Sequence, residues 1–236
     1  MPESNQQRLI WDWPTRLWHW LFAIAVVGAW ITGQWGGFDW RQWHFWFGQS
    51  VVGLLIFRLV WGIVGPRHAR FHHFITGPRR LWAYLRTLPE RTAPESAGHS
   101  PLAALSVIAF LAVLTLQSVS GLFISDDILY EGPWFPAVSA DTADWFSSIH
   151  HQLGWPIIVL IGLHILAILA YRYYKGYRLT SAMITGKKPN SRVPASASIP
   201  GSRSLLAVVV IVLVIVLTWW LLVVAPPEPA ADLDFW

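Results

Sequence analysis

The sequence predicts an all-α membrane protein, a four-helix transmembrane bundle followed by a fifth, C-terminal transmembrane helix. Of its 236 residues, 54% are hydrophobic and only 13% are charged, whereas charged residues make up about 25% of a soluble domain. Five segments are each long and apolar enough to cross a bilayer, which takes about 20 apolar residues. Lysine and arginine are concentrated in the connections on one side of these segments, as is typical of multi-pass membrane proteins.

The predicted spans are joined by both short and long connections. The first covers residues 14–35, and its leading proline suits the first turn of a helix, where a missing N–H costs nothing. The others cover residues 43–64, 101–125, 147–174 and 204–225. A basic connector, residues 65–100, separates the second and third spans, and its segment 78–88 is expected to form an interfacial amphipathic helix.

Composition divides the chain into four parts. Residues 1–187 hold the first four spans and form the main membrane domain. Residues 188–203 are rich in proline and serine and are expected to be a flexible cytoplasmic linker. Residues 204–225, almost all leucine, valine and isoleucine, form the fifth transmembrane helix, and residues 226–236 form an acidic periplasmic tail.

The distribution of basic residues predicts the orientation in the membrane. Of the 17 lysines and arginines, 15 lie in the N-terminal segment up to Arg16 and in residues 66–100 and 172–203. Basic loops stay on the cytoplasmic side, so we expect the N-terminus inside and, after five spans, the C-terminus outside. The net charge of +4 reflects these loops, and no nucleic-acid partner is expected. The absence of cysteine excludes disulfides, iron–sulfur clusters and covalently attached c-type haem.

Five histidines lie inside or at the ends of the predicted spans, where ionisable side chains usually serve a function, and four of them fall into pairs. His150 and His164 lie 14 positions apart on the fourth span, so they share a face and are about 21 Å apart along the helix axis. With the predicted orientation, His44 lies at the outer depth of His150, and His19 lies at the inner depth of His164. The sequence therefore predicts two pairs, His44/His150 and His19/His164, of the kind that binds haem iron.

Other interpretations of the histidines stay open at this point. A buried histidine can be a hydrogen-bonded core residue without a ligand. A zinc or copper ion fits less well, because two ligands at each depth do not fill a four-coordinate site. His151 points away from the paired face and is expected to be a neighbour of the outer site or a surface residue. The histidines of the basic connector are expected to be solvated or interfacial: His68, His72, His73 and His99.

Two arginines are candidate partners for the anionic propionates of haem. Arg58 follows His44 by 14 positions and so shares its face at the inner depth. Arg16 precedes His19 by three positions, on a neighbouring surface of the first span. Guanidinium groups pair well with carboxylates, although an interfacial arginine can also simply extend its charged end toward water.

Three glycines are spaced so as to leave room beside the outer pair. Gly33 follows His19 by 14 positions, and Gly48 and Gly154 each follow an outer histidine by four. They are expected to make space for a porphyrin, or else to be sites of close helix packing. Pro156 is expected to bend the fourth span between its two histidines, which membrane helices tolerate.

Several stretches within residues 8–187 carry a resemblance to a known family. They are WDWPTRLWHW with the TG pair that closes the same span, HFWFGQSVVGLLIFRLVWGIVGPRHARF, GHSPLAALS, GLFISDDILYEGPW, SIHHQLG, LIGLHILA and LTSAMITG. The chain resembles the bacterial cytochrome b561 / nickel–iron hydrogenase cytochrome b subunit family. The resemblance implies two non-covalent b haems, electron exchange with membrane quinone, and a place in the bacterial inner membrane. The family's iron ligands correspond to His19, His44, His150 and His164.

The leading functional interpretation is electron transfer across the membrane between a periplasmic redox partner and the quinone pool. That partner would be an oxidoreductase subunit or a c-type cytochrome. A second interpretation is a stand-alone quinone-linked oxidoreductase that acts on a small outer substrate such as superoxide. A third is a non-redox transporter or anchor with structural histidines. The outer loop is acidic and could steer a basic partner, through Asp126, Asp127, Glu131, Asp141 and Asp144.

Some properties are not decided by the sequence, among them whether the chain is an enzyme in its own right and whether it forms an oligomer. The fifth helix extends beyond the four-helix module and is expected to be a packing or anchoring element, with a partner-docking helix as the alternative. The quinone site is also not located. Ser106, His164 and Arg172 are the candidate polar groups near the inner pair.

Overall fold

The computed structural model describes residues 6–35, 37–125 and 130–228. In chain order these residues form β1 (Gln7–Leu9), α1 (Trp13–Gln34), α2 (Arg41–Val64), α3 (Phe71–Phe74), α4 (Pro78–Thr87), α5 (Pro101–Gly121), α6 (Ala140–Tyr174), α7 (Leu179–Thr185), β2 (Lys187–Pro189) and α8 (Ser204–Trp219). The last helix continues as a π-helical segment, Trp220–Val224. Within the described residues, five helices are long and apolar enough to cross a membrane: α1, α2, α5, α6 and α8 with its extension.

The helices begin and end at different residues from the predicted spans, most of all around the acidic loop. α5 ends at Gly121, and α6 begins at Ala140, so that Asp141 and Asp144 belong to its first turns. The difference arises because hydropathy reports the part of a helix inside the bilayer, while the helix itself can continue into water. The predicted amphipathic helix is present as α4. Outside the described residues lie Asp126 and Asp127 of the loop and residues 229–236 of the predicted tail.

The first four long helices pack as a bundle, in which α1 lies against α2, α5 lies against α6, and α2 also contacts α5. We call the end of the bundle beside β1 the inner end, and the opposite end, with the loop before α6, the outer end. All four helices contribute side chains to one apolar core, which contains Phe22, Ala25, Val26, Val51, Leu55, Leu114 and Ile157. This core holds in place the helix faces on which the paired histidines lie.

The fifth long helix, α8, packs on the outside of the bundle against α2. Ala207, Val210 and Val214 form a buried cluster with Phe57 and Trp61. Nearer the end of α8, Thr218 lies close to Gly53 of α2. A Cβ added to this glycine would be 3.2 Å from the Thr218 hydroxyl. At the outer end the indole N–H of Trp134 donates to the carbonyl of Leu221, 3.0 Å away. These contacts are those of a helix that packs against the bundle. They do not test the alternative that this helix docks a partner protein.

A structured cap covers the inner end, where the sequence led us to expect a flexible linker. We define this inner cap as residues 6–12, 95–100 and 182–199. Its strands pair antiparallel, with Leu9 opposite Lys187, and its core contains Ile10, Trp11, Ala182, Val193 and Ala197. The prediction that residues 188–203 form a flexible linker was wrong. It rested on the overall content of proline and serine, whereas the few apolar residues of this segment become buried against the distant N-terminal segment.

A buried ion pair and two histidines complete the inner cap. The Lys188 ammonium lies 2.6 Å from the Glu95 carboxylate, and both side chains are almost fully buried. His68 and His99 were expected to be solvated or interfacial, and both make contacts within the inner cap. The His68 Nε2 lies 2.7 Å from the Ala197 carbonyl oxygen. The rings of Trp11 and Phe74 pack against His99, and burial, assisted by the charge of Arg58, lowers the pKa of His99 to about 3.

Asp12 joins the start of α1 to the end of α2. Its side chain is fully buried and accepts hydrogen bonds from the Thr15 backbone N–H at 2.9 Å and the Thr15 hydroxyl at 2.8 Å. It also accepts from the indole N–H of Trp61 at 3.0 Å. The carboxylate thus caps one membrane helix and satisfies a buried donor on the next.

Replacing Asp12 by alanine should therefore destabilise the protein strongly. We expect a loss of about 3 kcal/mol, the sum of a lost helix cap and an unsatisfied buried indole N–H. Thermal or denaturant unfolding of the purified protein in detergent measures the change. Asp12→Asn, which keeps one acceptor oxygen, should lose clearly less. Equal stability of Asp12→Ala and the unchanged protein would contradict this role.

Candidate functional site

The outer pair of histidines faces each other between α2 and α6. The ring centres of His44 and His150 are 6.0 Å apart, with their planes at 86°. The Nδ1 of His44 lies 2.8 Å from the Ala29 carbonyl oxygen, and the Nδ1 of His150 lies 3.0 Å from that of Gln117. A carbonyl can only accept, so each Nδ1 carries the proton and each Nε2 lone pair is left for a metal ion.

Each outer imidazole lies against a glycine of the preceding long helix. A Cβ added to Gly33 would be 2.9 Å from Cε1 of His44, and one added to Gly121 would be 2.9 Å from Cε1 of His150. In both helices the carbonyl that accepts from the histidine belongs to the residue four positions before the glycine. The outer site is therefore built from two copies of one arrangement, one on α1 and α2 and one on α5 and α6.

This arrangement changes the interpretation of the glycines. Gly33 makes room for an imidazole, where the sequence predicted room for a porphyrin, and Gly121 was missed. The sequence did offer a signal for Gly121, because this glycine lies at the outer end of the span that precedes the one with His150. Gly48 has nothing within 4 Å of an added Cβ, and Gly154 has only the amide of Gln34 at 3.7 Å. These two glycines line the cavity of the outer site, as expected.

Replacing Gly33 by alanine tests this arrangement. The new methyl group must displace the His44 ring and weaken its bond to the Ala29 carbonyl. Loss of such a supporting contact typically lowers metal affinity about 10- to 100-fold, so we expect the outer haem to dissociate more readily and its spectrum to shift. Alanine favours the helix, so folding should be preserved.

The matched control is Gly162→Ala on α6, because an added Cβ at Gly162 meets nothing within 4 Å. Gly121→Ala should reproduce the Gly33→Ala effect through His150. Haem retention during dilution, followed by absorbance, measures all three variants. Identical retention in Gly33→Ala and Gly162→Ala would show that the close contact does not position the histidine.

A cavity of about 490 Å³ surrounds the outer pair. Its walls are mainly apolar, and it is bordered by both imidazoles and by Gly33, Gly48, Gly121 and Gly154. An apolar cavity with imidazoles on opposite sides suits a large, flat, apolar prosthetic group with a metal at its centre. The apolar wall residues include Val26, Val51, Val52, Leu114 and Ile157.

The inner pair faces each other between α1 and α6. The ring centres of His19 and His164 are 6.3 Å apart, with their planes at 46°. Phe110 approaches His164 edge-on, with ring centres 5.9 Å apart. The Nδ1 of His19 is buried and has no hydrogen-bond partner among the described residues. A buried polar atom without a partner requires an explanation, and the described side chains do not supply one.

Both ring separations fit one metal ion held between two imidazoles. A bond from imidazole nitrogen to a metal is about 2.0–2.1 Å, and the nitrogen lies about 1 Å from its ring centre, so the two centres should lie roughly 6 Å apart. Within the described residues, no three His, Cys, Asp or Glu side chains are grouped so as to hold a metal. Each pair thus offers two ligands, and a porphyrin would supply the remaining four.

The two arginines predicted beside the inner site are both held by backbone carbonyls. Arg58 is 2% exposed and donates to the Ala69 carbonyl at 3.1 Å. Its guanidinium lies over the Phe71 ring, 4.7 Å from the ring centre. Arg16 donates to the carbonyl of Ile184 in the inner cap. Their contact with haem propionates stays a prediction.

A helical membrane bundle with facing imidazole pairs at two depths is the architecture of a membrane b-type cytochrome, a protein that transfers electrons through haem b. Residues 10–186 match the family model of prokaryotic cytochrome b561, and the chain belongs to this family. The family predicted from the sequence is thus confirmed, and with it a multi-pass membrane protein of electron transport. The number of haems and the four histidine ligands stay predictions.

Three similar proteins are each named "Probable Ni/Fe-hydrogenase B-type cytochrome subunit". The one from Azotobacter chroococcum mcd 1 is 24% identical over 211 residues, which cover 75% of this chain and 86% of the relative. The Azotobacter vinelandii protein is 25% identical over 211 residues, with the same coverage. The Rhizobium leguminosarum bv. viciae protein is 25% identical over 221 residues, covering 78% of this chain and 90% of the relative. The similarity therefore extends over most of both chains.

Proposed function

We propose that this protein conducts electrons across the bacterial inner membrane through two haem b groups, held by His44/His150 and by His19/His164. The observation that carries the proposal is the presence of facing imidazoles at two depths of one bundle. Haem b supplies the one-electron chemistry, and the chain's own residues hold and orient it. The N-terminus would face the cytoplasm, because basic residues gather in the connections of the inner end.

The spacing of the two sites suits a path across the membrane. His150 and His164 are 14 residues apart on α6, about 21 Å along the helix axis, in a hydrocarbon core about 30 Å thick. One site therefore lies near each membrane surface. Only one transfer between the sites separates a partner on the outer side from a quinone on the inner side.

The outer partner we propose is a periplasmic oxidoreductase, and the names of the relatives point to a Ni/Fe-hydrogenase. A basic c-type cytochrome is the other candidate. Among the described residues of the outer end, Glu131, Asp141 and Asp144 are exposed, and their charges would attract a basic partner from a distance. At the inner end the electron acceptor or donor would be membrane quinone.

Liposomes that contain the full-length holoprotein and a quinone test this proposal. A purified Ni/Fe-hydrogenase supplied with H₂, or a reduced basic c-type cytochrome, is added outside. We expect haem reduction followed by quinone reduction, both dependent on the added partner. The c-type cytochrome reaction should slow at high salt, which screens exposed charges.

Two results would contradict the proposal, and a third would contradict the choice of outer partner. Equal quinone reduction driven by superoxide, without any protein partner, would indicate a stand-alone oxidoreductase. If protein produced with ample haem contains no haem after purification, the histidines would have a structural role, as in a transporter or anchor. If quinol reduces the haem but no electron passes to either outer partner, the true outer partner would be neither a hydrogenase nor a basic c-type cytochrome.

A further inference from the structure

A groove at the inner end lies between the last turns of α6 and the start of α7 with the residues just before it. Its volume is about 430 Å³. α6 contributes the apolar Ile168 and Leu169 together with Arg172, and Arg178 and the first turn of α7 contribute a second guanidinium and the hydroxyls of Thr180 and Ser181. The four polar residues are exposed. The groove thus combines apolar side chains with two guanidinium groups and two hydroxyls.

The walls of the groove are tied to the rest of the inner end. Gly176 turns the chain sharply after α6 with a φ of +70°, a conformation that glycine adopts without strain. The next residue, Tyr177, is buried and its hydroxyl donates to the Ala93 carbonyl. On the α6 side, the Lys175 ammonium donates to the Thr87 and Glu90 carbonyls at 3.2 and 3.0 Å. The two arginines therefore project from fixed backbone.

The guanidinium groups of Arg172 and Arg178 are not neutralised by the protein. In the part of the chain that the structure describes, neither makes a hydrogen bond or an ion pair through its side chain. Nearby basic side chains differ, since Lys188 pairs with Glu95 and Arg67 donates to a carbonyl of the inner cap. Two unpaired guanidinium groups and two hydroxyls thus line one groove, and these are donors that suit phosphate oxygens, which arginine binds in a bidentate manner.

We propose that this groove binds one anionic phospholipid. Arg172 and Arg178, with the hydroxyls of Thr180 and Ser181, would hold the phosphate, and an acyl chain would lie along the apolar side chains of α6. These side chains continue into the lipid-facing surface of α6, where Leu166 is 62% and Leu169 44% exposed. Basic sites at the inner membrane surface select anionic head groups. Quinone, for which the sequence made Arg172 a candidate, has no charge for two arginines to neutralise.

Native mass spectrometry of the full-length holoprotein, titrated with phosphatidylglycerol or phosphatidylcholine in detergent, tests the proposal. We expect one tightly bound phosphatidylglycerol and weaker binding of phosphatidylcholine. In Arg172→Gln/Arg178→Gln, phosphatidylglycerol should bind about 25-fold more weakly, about fivefold for each charge removed. Arg172→Lys/Arg178→Lys should restore much of the binding. The haem spectrum of each variant verifies that it is folded.

The matched control is Arg79→Gln/Arg80→Gln on α4, which removes two exposed charges outside the groove and should leave the bound lipid in place. Equal retention in both double variants would overturn the proposal. Equal binding of phosphatidylcholine would also overturn it. Displacement of the lipid by millimolar inorganic phosphate would identify a soluble phosphate compound as the ligand, and displacement by a quinone analogue would make the groove a quinone site.

Discussion

Replacing His44 by alanine is expected to lower the haem content from about two to about one b haem per chain. The outer pair would keep only His150 as a ligand, and the Ala29 carbonyl would lose its hydrogen-bond donor. His150→Ala should have the same effect, because both imidazoles contribute to one site, 6.0 Å apart. A pyridine haemochrome assay with protein quantification measures the haem content.

The control for this prediction is His151→Ala. His151 is the neighbour of His150 on α6, but its side chain is exposed, so this variant should retain both haems. Added imidazole should partly restore haem binding in His44→Ala, since the deleted ring leaves a cavity of its own shape. Two haems in His44→Ala would show that the outer pairing is wrong. One haem in the unchanged protein would show that one of the two pairs is not a haem site.

Replacing His19 by alanine is expected to abolish electron transfer across the membrane while the outer haem remains. An electron that enters at His44/His150 would then have to cross about 21 Å along α6 without an intermediate site. In liposomes, quinone reduction by an outer donor should fall to the rate of protein-free vesicles. Reduction of the remaining haem by the same donor should continue, which separates this effect from misfolding.

The matched variant at the other position of the inner pair is His164→Ala, which should behave in the same way because the two rings face each other at 6.3 Å. His68→Ala is the control, since His68 also lies at the inner end and contacts Ala197 and Trp11 of the inner cap. Normal quinone reduction in His19→Ala would mean that quinone receives electrons from the outer site and that the inner pair is not on the path.

The parts of the fold that the sequence predicted correctly depend on local patterns. The five apolar segments form five long helices. The two histidines that lie 14 positions apart on α6 each face a histidine of another helix, one at each depth. The least accurate predictions concerned residues whose environment is made by distant segments. His99 was expected to be solvated or interfacial and packs against the rings of Trp11 and Phe74. Val193 and Ala197, in a segment expected to be flexible, are buried against Ile10 and Trp11.

The sequence by itself determined the class of protein, the number of spans and the depth of each histidine, because span length and helical periodicity are properties of one segment at a time. Only the tertiary structure decided how the imidazoles are held. The Ala29 carbonyl that orients His44 lies 15 positions away, and the Gln117 carbonyl that orients His150 lies 33 positions away. Such contacts depend on how whole helices pack, which no local pattern encodes. The same reason explains why Gly33 accommodates an imidazole and why the inner cap is folded.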